Sequence, residues 1–175
     1  LENGLKVGVF GIIGKDAIQL IGEIGDVQFM DQYEVARQAV VDLKEQGANV
    51  IVGISHSGVD EDRELEREVP GIDVIVGGHS HTALYKPVLQ GDTIIVQTGY
   101  RGEYLGQLEL TYNPNTGNVR VRNEENDQPY LISIDSSFTC NPEIDALVQK
   151  YTLILNAHID EMTNGKFDDI TSTVA

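Results

Sequence analysis

A single cysteine, Cys140, stands in 175 residues, so the chain can close no internal disulfide and build no thiolate metal cluster. Cys140 has no basic neighbour in sequence to lower its pKa, which argues against a nucleophilic role. Basic residues are scarce as well. Twelve Lys and Arg against 28 Asp and Glu leave a net charge of −16, a poor match for nucleic-acid backbones or anionic membrane surfaces. An anionic small substrate then needs a local positive charge, which bound metal ions can supply. The longest apolar runs are strand-sized, and no segment has the pattern of a signal peptide or a membrane span. Internal repeats and low-complexity tracts are absent. Gly8, Gly11 and Gly14 lack the Lys-Ser/Thr pair of a phosphate loop and are read as packing and turn glycines.

What is present suits one globular domain with a real core: 41% apolar and 23% charged residues. Leu5 to Ile13 is a β-branched run, expected as a strand buried on both faces. Asp31-Gln32-Tyr33-Glu34 is an acidic variant of the capping box, and Val35, Ala36, Ala39, Val40 and Leu43 follow at helical spacing up to Gly47. The run Val50 to Ile54 comes next, giving a strand–helix–strand unit whose crossover favours a parallel pair. Val59 to Val69 is mostly charged and is expected as a short solvated helix with mixed-sign pairs, broken by Pro70-Gly71. Ile72 to Val76 and Ile94 to Val96 are further strands, and Tyr104 to Tyr112 alternates as one more. Asn113 to Gly117 turns that strand into Val119 to Arg122. Asn141-Pro142-Glu143 starts a long helix with an apolar stripe of Ile144, Leu147, Val148, Tyr151, Leu155, Ile159 and Met162, ending near Asn164-Gly165. The chain opens at Leu1 without an initiator Met and is expected to be a piece of something longer.

Three of the four histidines follow two of these strands: His56 after Val50 to Ile54, and His79 and His81 after Ile72 to Val76. Neutral imidazole is the commonest ligand for transition metals, and open α/β sheets bind ligands at the carboxyl ends of their strands. Gly77-Gly78 permits a tight turn before His79. The residues leave three readings open: polar loop histidines that merely end buried strands, an open mononuclear zinc site, or part of a two-metal site completed by carboxylates from elsewhere. Asp60, Glu61 and Asp62 are expected on a solvated helix face, and Asp73 as a strand-entry residue. His158, on the stripe of the last helix, is expected to be a packed or interface residue.

Ile54-Ser55-His56-Ser57-Gly58, followed by Gly71 to Gly78 and His79-Ser80-His81-Thr82, resembles the later motifs of the calcineurin-like metallophosphoesterases. The likeness is narrower to the branch containing 5′-nucleotidases, UDP-sugar hydrolases and 2′,3′-cyclic-nucleotide phosphodiesterases. Asn3 to Gly11, Gln97-Thr98-Gly99-Tyr100 with Tyr104-Leu105-Gly106, and Asp135 to Phe138 are similar to other segments of that branch. The family's Asp-x-His, Gly-Asp and Gly-Asn-His motifs have no counterpart here in the right order.

The resemblance therefore implies an α/β fold: half of a metallophosphoesterase α/β/β/α sandwich with a mixed sheet, followed by a long linker helix. Residues 1–133 would be the C-terminal half of the catalytic domain, 134–163 the linker and interdomain helix, and 164–175 a tail toward an absent C-terminal substrate domain. It implies two divalent metal ions in the full-length enzyme, Zn or Mn, with His56 and His79 on one and His81 on the other. Nucleotide or nucleotide-sugar phosphate esters would be hydrolysed by attack of a metal-bound hydroxide on phosphorus. No catalytic residue lies in this chain, its substrate-binding residues are not identified, and alone it is expected to hold at most one metal weakly and be inactive. A periplasmic, cell-surface or secreted location is what the family suggests. The alternative is a non-catalytic metal-binding or interaction module.

Overall fold

The structure, a computed structural model, describes residues 1, 4–20, 22 and 25–163, and these divide at Ile134/Asp135 into two compact units. The first is built on a sheet of five strands in the order β1 (Val7–Ile13), β2 (Val50–His56), β3 (Val74–Val76), β5 (Thr93–Val96), β4 (Val88–Gln90). The first four are parallel and β4 runs antiparallel at the edge, so the sheet is mixed. β1 and β2 pair along their whole length, from Val7 opposite Val50 to Ile13 opposite His56. A one-turn helix α1 (Lys15–Ile18) follows β1.

Helix α2 (Gln32–Glu45) starts where its cap predicts: the Asp31 carboxylate accepts the amides of Tyr33 at 2.9 Å and Glu34 at 3.0 Å. Gly47, at φ +82°, ends it in the left-handed conformation that glycine adopts without a Cβ penalty. Ala36 and Val40 of α2 and Leu65 and Val69 from α3 (Val59–Glu68) and its end pack with Ile51, Ile72, Ile75 and Ile95 into one core. Each large aliphatic side chain so buried contributes roughly 1.5–3 kcal/mol. Asp73 enters the sheet as expected, its carboxylate accepting the Ile51 amide at 2.7 Å.

Three expectations need correction. β1 is not buried on both faces: it is the edge strand, and Val7, Val9 and Ile13 are exposed on a face shared through the register with Ile54 and Val76, also exposed. The core lies on the other face, against α2 and α3. The segment Tyr104 to Tyr112 is not one strand but two, β6 (Tyr104–Gly106) and β7 (Leu110–Tyr112). The break is held by the fully buried Asn123, whose amide accepts the Glu109 N–H at 2.8 Å and donates to the carbonyls of Gln107 and Pro129. β6 pairs with β9 (Leu131–Ser133), while β7 forms the expected hairpin with β8 (Val119–Val121). Third, α3 is not simply a solvated helix. Asp62, Leu65 and Val69 recur at helical spacing on its buried side, and no ion pair within α3 is among those of the described residues.

The second unit contains α4 (Pro142–Thr163), capped by Asn141, whose side chain accepts the Glu143 and Ile144 amides at 2.9 and 3.2 Å. Its stripe is largely exposed at Ile144, Leu147, Val148, Tyr151, Leu155 and Met162. His158 is exposed rather than packed, because no described part of that unit covers the stripe. The expected stop at Asn164-Gly165 and the tail to 175 lie outside the described residues.

Candidate metal centre

β2 and β3 are parallel neighbours, so their carboxyl ends meet at one rim. His56 is the last residue of β2, and the chain after β3 turns back through Gly77-Gly78 to bring His79 beside it. The two imidazoles lie with ring centroids 5.2 Å apart at 66°. Gly78 keeps this approach uncrowded: a Cβ there would stand 3.1 Å from His56 Nδ1 and 3.4 Å from the Ser55 carbonyl oxygen. His81 is not in the pair; it stacks on Tyr100 with centroids 5.0 Å apart and planes 14° from parallel. The Arg101 guanidinium lies 5.2 Å from the centre of the Tyr100 ring.

His79 and His81 both have positive φ, +73° and +55°, and so does Arg101 at +55°. Non-glycine residues in this region are strained, and they persist where surrounding contacts over-determine them. Around His79 and His81 such contacts come from Gln97, just beyond β5, together with the hydroxyls of Ser80 and Thr82, which lie 3.0 Å apart.

Two exposed or half-buried imidazoles side by side present nitrogen atoms of the kind that ligate transition metals, and the third stands apart against Tyr100. Among the described residues no three His, Cys, Asp or Glu side chains converge as a ligand set. The donor chemistry fits a metal; completing three or four ligands calls for donors beyond this rim.

The acids separate by environment. Asp60 is exposed, whereas Glu61 and Asp62 are buried, against the expectation of a solvated face. Glu61 receives a hydrogen bond from Gln32 at 3.1 Å. Asp62 is completely buried and neither carboxylate oxygen has a hydrogen-bond partner. Burial pushes its carboxyl up to about 6 from the ordinary 3.8; nearby Ser55, whose hydroxyl donates to Ser57, opposes the rise, and the Glu61 charge adds to it.

The folded state therefore holds the Asp62 proton more tightly than the unfolded chain does. Stability falls as pH rises from about 4 to about 6, by an amount on the order of 3 kcal/mol. Asp62→Asn should abolish that pH dependence, leaving the unfolding midpoint unchanged at pH 3, below the unfolded-chain value, and raising it at pH 8. Denaturant unfolding at the two pH values tests this, and an equal shift at both would contradict it.

No family model matches the chain. Its sequence is 31% identical over 167 residues to a 5′-nucleotidase of Diplobatis ommata, covering 85% of this chain and 28% of that protein. It is also 31% identical over 169 residues to the snake venom 5′-nucleotidase of Crotalus adamanteus, covering 86% of this chain and 28% of that protein. Among solved structures, a 5′-nucleotidase precursor from Thermus thermophilus superposes with a TM-score of 0.59 at 31% identity, over 74% of this chain and 28% of that one. The chain thus spans 28% of the length of each of these relatives.

Proposed function

The chain belongs to the 5′-nucleotidase-like metallophosphoesterases, and we propose that it is the histidine-bearing part of a metal-dependent enzyme hydrolysing nucleotide phosphate esters. The observation carrying this reading is the pairing of His56 and His79 at the ends of adjacent parallel strands, with His81 set apart on Tyr100. His56 and His79 would hold one divalent cation and His81 would donate to a second, Zn or Mn by the imidazole chemistry. Such cations, when bound, supply positive charge to phosphate oxygens and lower the pKa of water toward neutrality. In a chain of net charge −16 this charge is what draws a nucleotide phosphate to the rim.

The protein's own share is positional. Gly78 lets His79 approach His56, and the Tyr100 ring fixes the plane of His81. Carboxylate and further ligands, and the group that recognises the base, would come from the parts of the relatives' length that this chain does not span. In this reading residues 1–133 form half of a two-sheet catalytic domain, and the exposed apolar face of Val7, Val9, Ile54 and Val76 would meet the other sheet. Residues 134–163 lead toward a substrate domain by way of α4. One relative is a venom protein, which favours export, and no described helix is long and apolar enough to cross a membrane.

The test is metal dependence in the full-length protein. Chelation should remove AMP hydrolysis and Mn²⁺ or Zn²⁺ should restore it, while the 175-residue chain alone shows no turnover and binds at most one metal weakly. Full activity after exhaustive chelation would sink the proposal. Robust turnover by the isolated chain would instead point to a simpler mononuclear site.

A further inference from the structure

Gln97 is buried, with 1% of its surface accessible, yet its side chain makes three hydrogen bonds to a single loop. Nε2 donates to the Gly78 carbonyl at 2.6 Å. Oε1 accepts the Ser80 hydroxyl at 2.8 Å and the Thr82 amide at 2.6 Å. The braced positions 78, 80 and 82 alternate with the two histidines, so one amide spans the loop that carries both. The same strand end is tied to the loop through its backbone: the Gln97 carbonyl accepts Leu84 N–H at 3.0 Å, and the Thr82 carbonyl accepts Gly99 N–H at 3.0 Å.

The loop asks for this chemistry. It presents a carbonyl that needs a donor, and a hydroxyl and an amide that need an acceptor. A side-chain amide offers both from one planar group without depending on protonation state, and glutamine has the reach. A glutamate would keep the acceptor side and lose the donor, setting a carboxylate against the Gly78 carbonyl. It would also add a second acid beside Asp62, since a Cβ on Gly77 would touch both the Asp62 carboxylate and Gln97 Nε2. The brace is what holds His79 and His81 at positive φ, a conformation that costs about 1–3 kcal/mol per residue when unsupported.

We propose that Gln97 is a positioning residue for the metal ligands, its amide locking the 78–82 loop so that His79 and His81 are set before any cation arrives. This inference rests on the metal-centre reading given above. Partners that orient metal-ligating histidines typically carry roughly 10–100-fold in metal affinity, and loss of the Gln97 brace is expected to fall in that range.

The experiment measures Mn²⁺ and Zn²⁺ affinity of the full-length protein by competition with a chromogenic chelator, alongside denaturant unfolding. Gln97→Met keeps the volume and removes all three bonds; Gln97→Glu keeps two. Ser80→Ala, at an exposed position, removes one of the Gln97 bonds, together with the Ser80 contacts to the Val59 N–H and the Thr82 hydroxyl, and covers the case in which the Gln97 variants do not fold. Thr93→Val is the control: it deletes a buried bond on β5, the strand that Gln97 follows, Thr93 Oγ1 to the Ile72 carbonyl at 2.7 Å, away from the loop.

The proposal expects affinity to fall roughly 10–100-fold in both Gln97 variants and less in Ser80→Ala, with Thr93→Val destabilised but binding metal as wild type. Gln97 or, failing those, Ser80 variants that unfold more easily but bind metal normally would overturn it and leave Gln97 a purely structural residue. His79→Ala separates the two levels. If His79→Ala also binds metal normally, the metal-centre reading itself has failed; if it alone loses metal, only the brace has.

Discussion

Alanine at His79 in the full-length protein is expected to reduce nucleotide phosphate-ester hydrolysis to background, and alanine at His81 to do the same. The loss should exceed the roughly 10–100-fold that accompanies removal of an outer partner of a metal ligand, because the donor itself is gone. The geometry adds a finer expectation. His56 and His79 stand 5.2 Å apart and would serve one cation, so His56→Ala and His79→Ala should behave alike and their double variant should be no worse than either. His81, stacked on Tyr100, would serve another cation. Its loss should lower bound metal by one equivalent while the first site still fills. Steady-state turnover with AMP and metal content by elemental analysis are the two measurements. His158→Ala is the control, since that imidazole is exposed on α4 in the other unit. Wild-type turnover in His79→Ala or His81→Ala would end the assignment.

The rim is legible because two signals coincide in the sequence: a buried apolar run, then a histidine with glycine and serine around it, twice over. The parallel pairing of β1 and β2 follows from the helix between them, and the structure places β2 beside β3 as that reading needs. What does not show is equally physical. Asp62 sits in a run of charges whose composition signals solvent; the corrective signal is the phase it shares with Leu65 and Val69, which a count of charges hides. Gln97 falls in a segment that carries the family likeness, but nothing local signals its bracing contacts, because its partners lie 15 to 19 residues away and only the β3–β5 pairing brings them together. The break between β6 and β7 is invisible for the same reason, being pinned from Asn123. The apolar character of β1 suits a strand covered on both sides, yet its outer face is exposed here, since both packing helices lie on the other side.

Of the three glycines on that first strand and its exit, Gly14 should be the least tolerant. Its backbone, at φ −75° and ψ 158°, is open to any residue, so alanine incurs no conformational penalty there. The obstacle is packing. The Gly14 amide donates to the His56 carbonyl at 3.2 Å, drawing the end of β1 onto the turn after β2. A Cβ would then lie 2.6 Å from both Cα and Cβ of Ser57 and collide with the Glu61 carboxylate. Ser57 Cα is backbone and cannot swing aside; Glu61 is buried and engaged with Gln32. Overpacking of this kind costs about 1–3 kcal/mol, and the shift needed to relieve it passes directly to His56. Gly11→Ala provides the contrast within one strand. There the nearest atom to a new Cβ is the Ile54 carbonyl oxygen at 3.9 Å, and the loss of unfolded-chain freedom should leave stability equal or higher by about 0.4–1 kcal/mol. Urea unfolding should place the Gly14→Ala midpoint below wild type and the Gly11→Ala midpoint at or above it. Equal midpoints for Gly14→Ala and Gly11→Ala would mean that the strand end yields without cost, and that the rim is not held as tightly as the contacts at Gly14 require.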